Sequence, residues 1–126
     1  MRRAIAALAL ILPGCAAVGP VCNAGLSSRA EAQLFFGGSL APEQWRAFVD
    51  QEVTPRFPDG FTVFETQGQW RNRDGTIARE TGHELLIVMA RNDQNEERLQ
   101  AIRDTYRRRF MEESVLLTEA PVCAGF

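Results

Sequence analysis

FPDGFTVFETQGQWR, residues Phe57 to Arg71, holds a turn and a whole strand, and it ends where a hairpin turn begins. Pro58-Asp59-Gly60 has turn chemistry, because proline presets one φ angle and glycine frees another. Phe61 to Trp70 then reads as a long strand, with Gly68 as a bulge near its end. Asn72-Arg73-Asp74-Gly75 follows as a hairpin turn, Asp-Gly supplying the positive φ angles. The return limb begins at Thr76, breaks at Thr81-Gly82 and resumes as His83 to Ala90, with Leu85 to Met89 continuously apolar.

Outward from this hairpin the periodicity changes. Pro42 to Val53 carries Trp45, Phe48, Val49 and Val53 on one stripe at helical spacing; Pro42 and Glu43 suit a first turn, and Thr54-Pro55 ends the helix. Upstream, Glu31 to Phe36 reads as a first strand stopped by Gly37-Gly38. Downstream, Asp93 and Glu96 form a capping-box pattern for a second helix, Gln94 to Phe110, whose stripe is Leu99, Ile102, Tyr106 and Phe110. Ser114 to Ala120 is a last strand, ended by Pro121. The order β-α-β-β-α-β specifies an α+β, ferredoxin-like sandwich: a four-stranded antiparallel sheet with both helices on one face. A half-exposed strand should alternate, yet Leu34-Phe35-Phe36, Leu85 to Met89 and Val115-Leu116-Leu117 are apolar on both faces. The expectation is a covered second face, taken up by a homodimer partner, by a ligand or other protein, or by the chain's own hairpin and tail.

The first thirty residues have a different character. Met1-Arg2-Arg3 is a positive n-region and Ala4 to Leu12 an apolar stretch of nine residues, too short for a hydrocarbon core that needs about twenty. Leu12-Pro13-Gly14-Cys15 resembles the bacterial lipobox, in which the cysteine is acylated and becomes the first mature residue. Residues 1–14 are therefore expected to be a lipoprotein signal peptide, 15–30 a tether and 31–126 a single domain. Cys15 is the expected lipidation site, with plain signal cleavage near Ala17 as the alternative. Several acyl chains, at about 0.8 kcal/mol per buried methylene, would hold the domain on a membrane. Ala16 in place of an aspartate favours the outer membrane in a Gram-negative envelope, on the periplasmic side. With Cys15 used or removed, Cys22 and Cys123 remain, and two cysteines in an exported chain pair. In the ferredoxin-like topology the entry to the first strand lies beside the exit of the last, which brings these two to one edge.

Composition excludes some functions. The chain has 126 residues, 45% hydrophobic and 24% charged, and all 14 basic residues are arginine. Without Arg2 and Arg3, 12 basic residues face 16 acidic ones, a charge of −4 and no basic stripe for nucleic acid. Two thiols and one histidine are too thin a set for a metal site. No phosphate loop, cofactor fingerprint or nucleophile elbow occurs, so no cofactor and no catalytic residue is assigned.

LFFG (Leu34 to Gly37), VTPRFPDGFTV (Val53 to Val63), GQWR (Gly68 to Arg71) and the closing Cys123 with Phe126 resemble the bacterial domain-of-unknown-function family 3574. The resemblance covers residues 31 to 126. It implies a small exported domain, commonly lipidated, and no catalytic residues. The family pattern often carries an arginine where Gly38 stands and a Ser or Thr cap where Ala41 stands.

Among polar residues, His83 reads as a strand-end histidine, and Glu96-Glu97, Arg107-Arg108-Arg109 and Glu112-Glu113 as solvated charge. Arg56, Asp59, Gln69, Arg71 and Glu80 form the remaining polar set, with Gln69 and Arg71 on one strand face and Trp70 on the other. Arg56 is expected to pair with Asp59 or another acid at the turn. If there is a ligand site, Arg56, Gln69, Trp70 and Arg71 are its candidates. Two functions follow: a non-enzymatic, membrane-anchored envelope module that binds a partner or ligand, or a small dimeric ferredoxin-like enzyme with a cavity between sheet and helices.

Overall fold

The computed structural model describes residues 19–126; the expected signal peptide and Cys15 lie outside the described residues. Strands β1 (Ser27–Phe36), β2 (Thr62–Arg71), β3 (Ile77–Met89) and β4 (Leu116–Ala124) alternate with helices α1 (Pro42–Phe48) and α2 (Asp93–Phe110). They form one antiparallel sheet in the order β2-β3-β1-β4. This is the expected ferredoxin-like sandwich.

The core is the helix-facing side of the sheet. Ala32, Leu34, Leu85 and Ile87 meet Phe48, Val53, Leu99, Ile102 and Tyr106, all essentially without solvent contact. Phe36 is its hub, packed edge-on to Phe48 and Tyr106 with centroids 5.8 and 4.7 Å away. Fully burying such side chains contributes about 1.5–3 kcal/mol each. Past Phe48 the first helix widens into a π-type turn, Val49–Val53, where the Thr54 N–H donates to the Val49 carbonyl at 2.9 Å.

Several boundaries differ from the sequence reading, each for a local reason. β1 begins at Ser27, inside the expected tether, because β4 runs past Ala120 to Ala124 and supplies partners down to Ser27↔Ala124. Pro121 does not end that strand. β4 is an edge, where a residue without an N–H does no harm. Thr81-Gly82 does not interrupt β3, which is continuous, and Gly68 is no bulge, since Gly68↔Glu80 sits in an unbroken register. The cap of α2 is Asn92, whose Oδ1 accepts the Asn95 N–H at 2.9 Å, not the Asp93 pattern. At the hairpin only Gly75 takes a positive φ (87°), while Asp74 accepts the Thr76 N–H at 2.9 Å.

The second face is mixed rather than wholly apolar. Its rows run Phe64–Glu84–Phe35–Leu116 and Leu86–Gln33–Thr118 across the strands. Cys22 and Cys123 form a disulfide, with Cα atoms 5.5 Å apart, beside the Ser28↔Cys123 pair. No described helix is long and apolar enough to cross a membrane.

Candidate functional site

β1 stops pairing with β3 at Phe36↔His83, but β2 and β3 continue together to Arg71↔Ile77. The outer half of the hairpin therefore projects beyond the sheet. Where it leaves, β1 turns away through Gly37 and Gly38, the latter at φ 96°. This exit is fastened at several points. The Gly38 N–H donates to Glu80 Oε2 at 2.9 Å, the Ser39 N–H to the Thr81 carbonyl at 3.2 Å, and the Tyr106 hydroxyl to the Gly37 carbonyl.

Between the projecting hairpin, the end of β1 and the segment leading from α2 into β4 lies a cleft of about 400 Å3. Its walls include Phe35, Trp70, Ala78 and Leu116, with Trp70 and Leu116 about half exposed. Its polar groups include Gln69, Glu80, Glu112, Glu113 and Ser114. Apolar walls with a few placed polar groups are the usual make-up of a small-molecule site. Across its mouth Arg73, in the hairpin turn, reaches Glu113 at 3.7 Å.

The electrostatics are acidic. Burial, then the carboxylates of Glu80 and Glu113, push the Glu112 carboxyl up from the usual carboxylate range. Burial, then Glu112 and Glu80, likewise push up the Tyr106 hydroxyl, which stays protonated and keeps donating. Glu112 is half-buried and Glu113 exposed, and both line the cleft. They were missed because their partner, Glu80, comes from a strand 32 residues earlier, and no linear spacing announces the meeting.

The residues proposed from sequence divide. Gln69 and Trp70 line the cleft, and Gln69 accepts from Arg79 Nε at 3.1 Å. Arg71 is exposed near the hairpin tip. Arg56 is engaged elsewhere, donating to the carbonyl of Glu52 at 2.6 Å and to its carboxylate at 2.8 Å. Its partner is therefore Glu52 and not Asp59.

On the opposite side of the hairpin base a wider groove, about 720 Å3, runs between α1 and β2. There His83 lies flat on Trp45, centroids 4.1 Å apart and planes 7° from parallel. Burial pushes its pKa down, against the pull of Glu65. Among the described residues no group of acids, histidines and cysteines is arranged to hold a metal ion.

Solved structures share the fold at low identity. A phage SAM lyase in complex with S-methyl-5'-thioadenosine superposes with a TM-score of 0.62 at 13% identity, covering 87% of this chain and 97% of the lyase. CutA from Synechococcus elongatus, complexed with Bis-Tris, gives 0.53 at 14%, with 79% and 87% covered. The periplasmic divalent cation tolerance protein CutA from Archaeoglobus fulgidus gives 0.51 at 10%, with 76% and 87% covered. No curated protein matches the chain. The profile of a family described as "Protein of unknown function (DUF3574)" matches residues 31–126, and the chain belongs to that family.

Proposed function

We propose that the chain is an exported, membrane-tethered binding module that takes a small organic cation with a flat apolar body. The observation that carries this is the cleft itself: about 400 Å3, with Trp70, Phe35 and Leu116 as apolar surface and Glu80, Glu112 and Glu113 as acids. A cation over the indole face gains from the ring quadrupole, and in a partly desolvated site carboxylates add to that attraction. The lining offers Ser114 but no histidine or cysteine, so binding fits it better than covalent chemistry.

The tether rests on the Leu12-Pro13-Gly14-Cys15 motif, and export on the same motif and on the Cys22–Cys123 disulfide, a cross-link of oxidising compartments. The phage protein of the same fold is named for SAM, a sulfonium with an aromatic base. That molecule belongs to the proposed ligand class.

The test is a titration of Trp70 fluorescence with three probes: benzyltrimethylammonium, its neutral carbon isostere and S-methyl-5'-thioadenosine. Trp45 is buried, so the exposed Trp70 should report. The cation should bind at least about tenfold more tightly than the isostere, and Glu80→Gln with Glu112→Gln should shrink the difference. Equal affinity for charged and neutral probes would overturn the cation reading. Loss of palmitate labelling in Cys15→Ser would support the anchor, and retention would refute it.

A further inference from the structure

The outer edge of β2 is unpaired among the described residues. β2 is an edge strand, and nearly every residue along it is exposed, including Val63, Phe64 and Trp70. A long edge without proline invites another strand, and its one acid on the helix-facing side, Glu65, is exposed.

Its free backbone groups can be placed. The Asn72 N–H donates to the Thr76 carbonyl and the Gly75 N–H to the Asn72 carbonyl, so Asn72 is bonded across the hairpin. Alternation along an antiparallel pair then turns the N–H and C=O of Arg71, Gln69, Gln67 and Glu65 away from β3.

We infer that β2 pairs antiparallel with β2 of a second copy, about a twofold axis at Gly68, joining two sheets into one of eight strands. In that register the outward-facing residues oppose one another: Gln67 meets Gln69, and Glu65 meets the partner subunit's Arg71, twice per dimer. Among the described residues neither Glu65 nor Arg71 forms an ion pair within its own chain. Shifting the axis by one residue in either direction separates Glu65 from Arg71, so charge selects this register.

Gly68 lines the cleft, but the backbone does not require a glycine there. Its φ is not positive, a Cβ there would meet nothing, and the strand is not bulged. On the axis, two glycines leave the sheet face clear between two clefts. Trp70 then stands opposite the partner subunit's Thr66, and since both residues line the cleft, each copy borders the other's site.

The full-length chain, purified in detergent, should sediment as a dimer. Gly68→Cys should cross-link to itself on oxidation, since opposed residues of a non-bonded pair lie about 4.5 Å apart. Thr118→Cys, on the sheet's open face, should not. Arg71→Glu should weaken the dimer about tenfold, and adding Glu65→Arg should restore it, which a folding defect would not do. A monomeric wild-type chain, cross-linking through Thr118→Cys instead, or no rescue by the charge swap would each overturn the proposal.

Discussion

Gly82 lies against the carbonyl oxygen of Phe36 so closely that no β-carbon fits between them. This is where β1 leaves the sheet and the β2–β3 hairpin goes on alone, so the cleft begins at this contact. Gly82→Ala must push backbone apart, which costs about 2–3 kcal/mol. Chemical denaturation should show that loss, whereas Gly68→Ala, open on all sides, should change monomer stability by less than about 1 kcal/mol. Equal effects at the two positions would mean that the Phe36 crossing is not tight.

Tyr106 anchors the same crossing from below. Its ring is fully buried in the core and its hydroxyl donates to the Gly37 carbonyl. Tyr106→Phe keeps the ring packing and leaves a partly buried carbonyl without its partner, a loss of about 1–3 kcal/mol. Because Gly37 lines the cleft, the variant should also weaken probe binding. Unchanged stability in a denaturant titration would show that water replaces the hydroxyl.

Much of this architecture could be read from residue order alone. Leu99, Ile102 and Tyr106 repeat at helical spacing because one face of α2 is buried, and that burial is what the structure shows. The Cys22–Cys123 pair followed from the cysteine count, and strand order agreed with it, since β1 and β4 are neighbours. Glycine was the ambiguous residue. Gly82 looked like a break, yet it is a close approach inside an unbroken strand, and only the tertiary position of Phe36 tells the two apart. Pro121 misled in the same way, because its tolerance depends on β4 being an edge. For the site, Trp70 and Gln69 were legible as polar-aromatic residues at a strand end. Their acidic counterparts were not, since Glu80 and Glu112 meet only through the fold. Arg56 looked equally available until Glu52, one helical turn earlier, claimed it.

The disulfide spans 101 residues and ties the segment before β1 to the edge strand β4. Closing a loop of that length restricts the unfolded chain by about 4.7 kcal/mol in the chain-entropy account, and measured values usually fall below it. Replacing both cysteines by serine should cost about 3–5 kcal/mol. The loss should appear as a lower melting temperature, matched by adding reductant to the native protein. A melting temperature indifferent to reductant would mean that the bond contributes nothing to the fold.

Glu112 should make both stability and ligand affinity depend on pH. Its carboxyl is pushed above the ordinary range by burial, Glu80 and Glu113, so its charged form is disfavoured in the folded state. The penalty is complete above the folded pKa and disappears as pH falls through that value toward the unfolded one near 4.5. Stability should therefore rise slightly on mild acidification through this window, and Glu112→Gln should flatten that arm while raising stability at neutral pH. The gain should be less than about 1 kcal/mol, because the group is largely solvated. Glu119 is shifted the same way by burial and Glu96, so the variant should be compared with Glu119→Gln. An organic cation in the cleft favours the charged carboxylate and must lower the Glu112 pKa. Binding should then release protons in the same window, measurable as a buffer-dependent heat in calorimetry. No proton release from the native protein, or an equal release from Glu112→Gln, would separate Glu112 from the ligand.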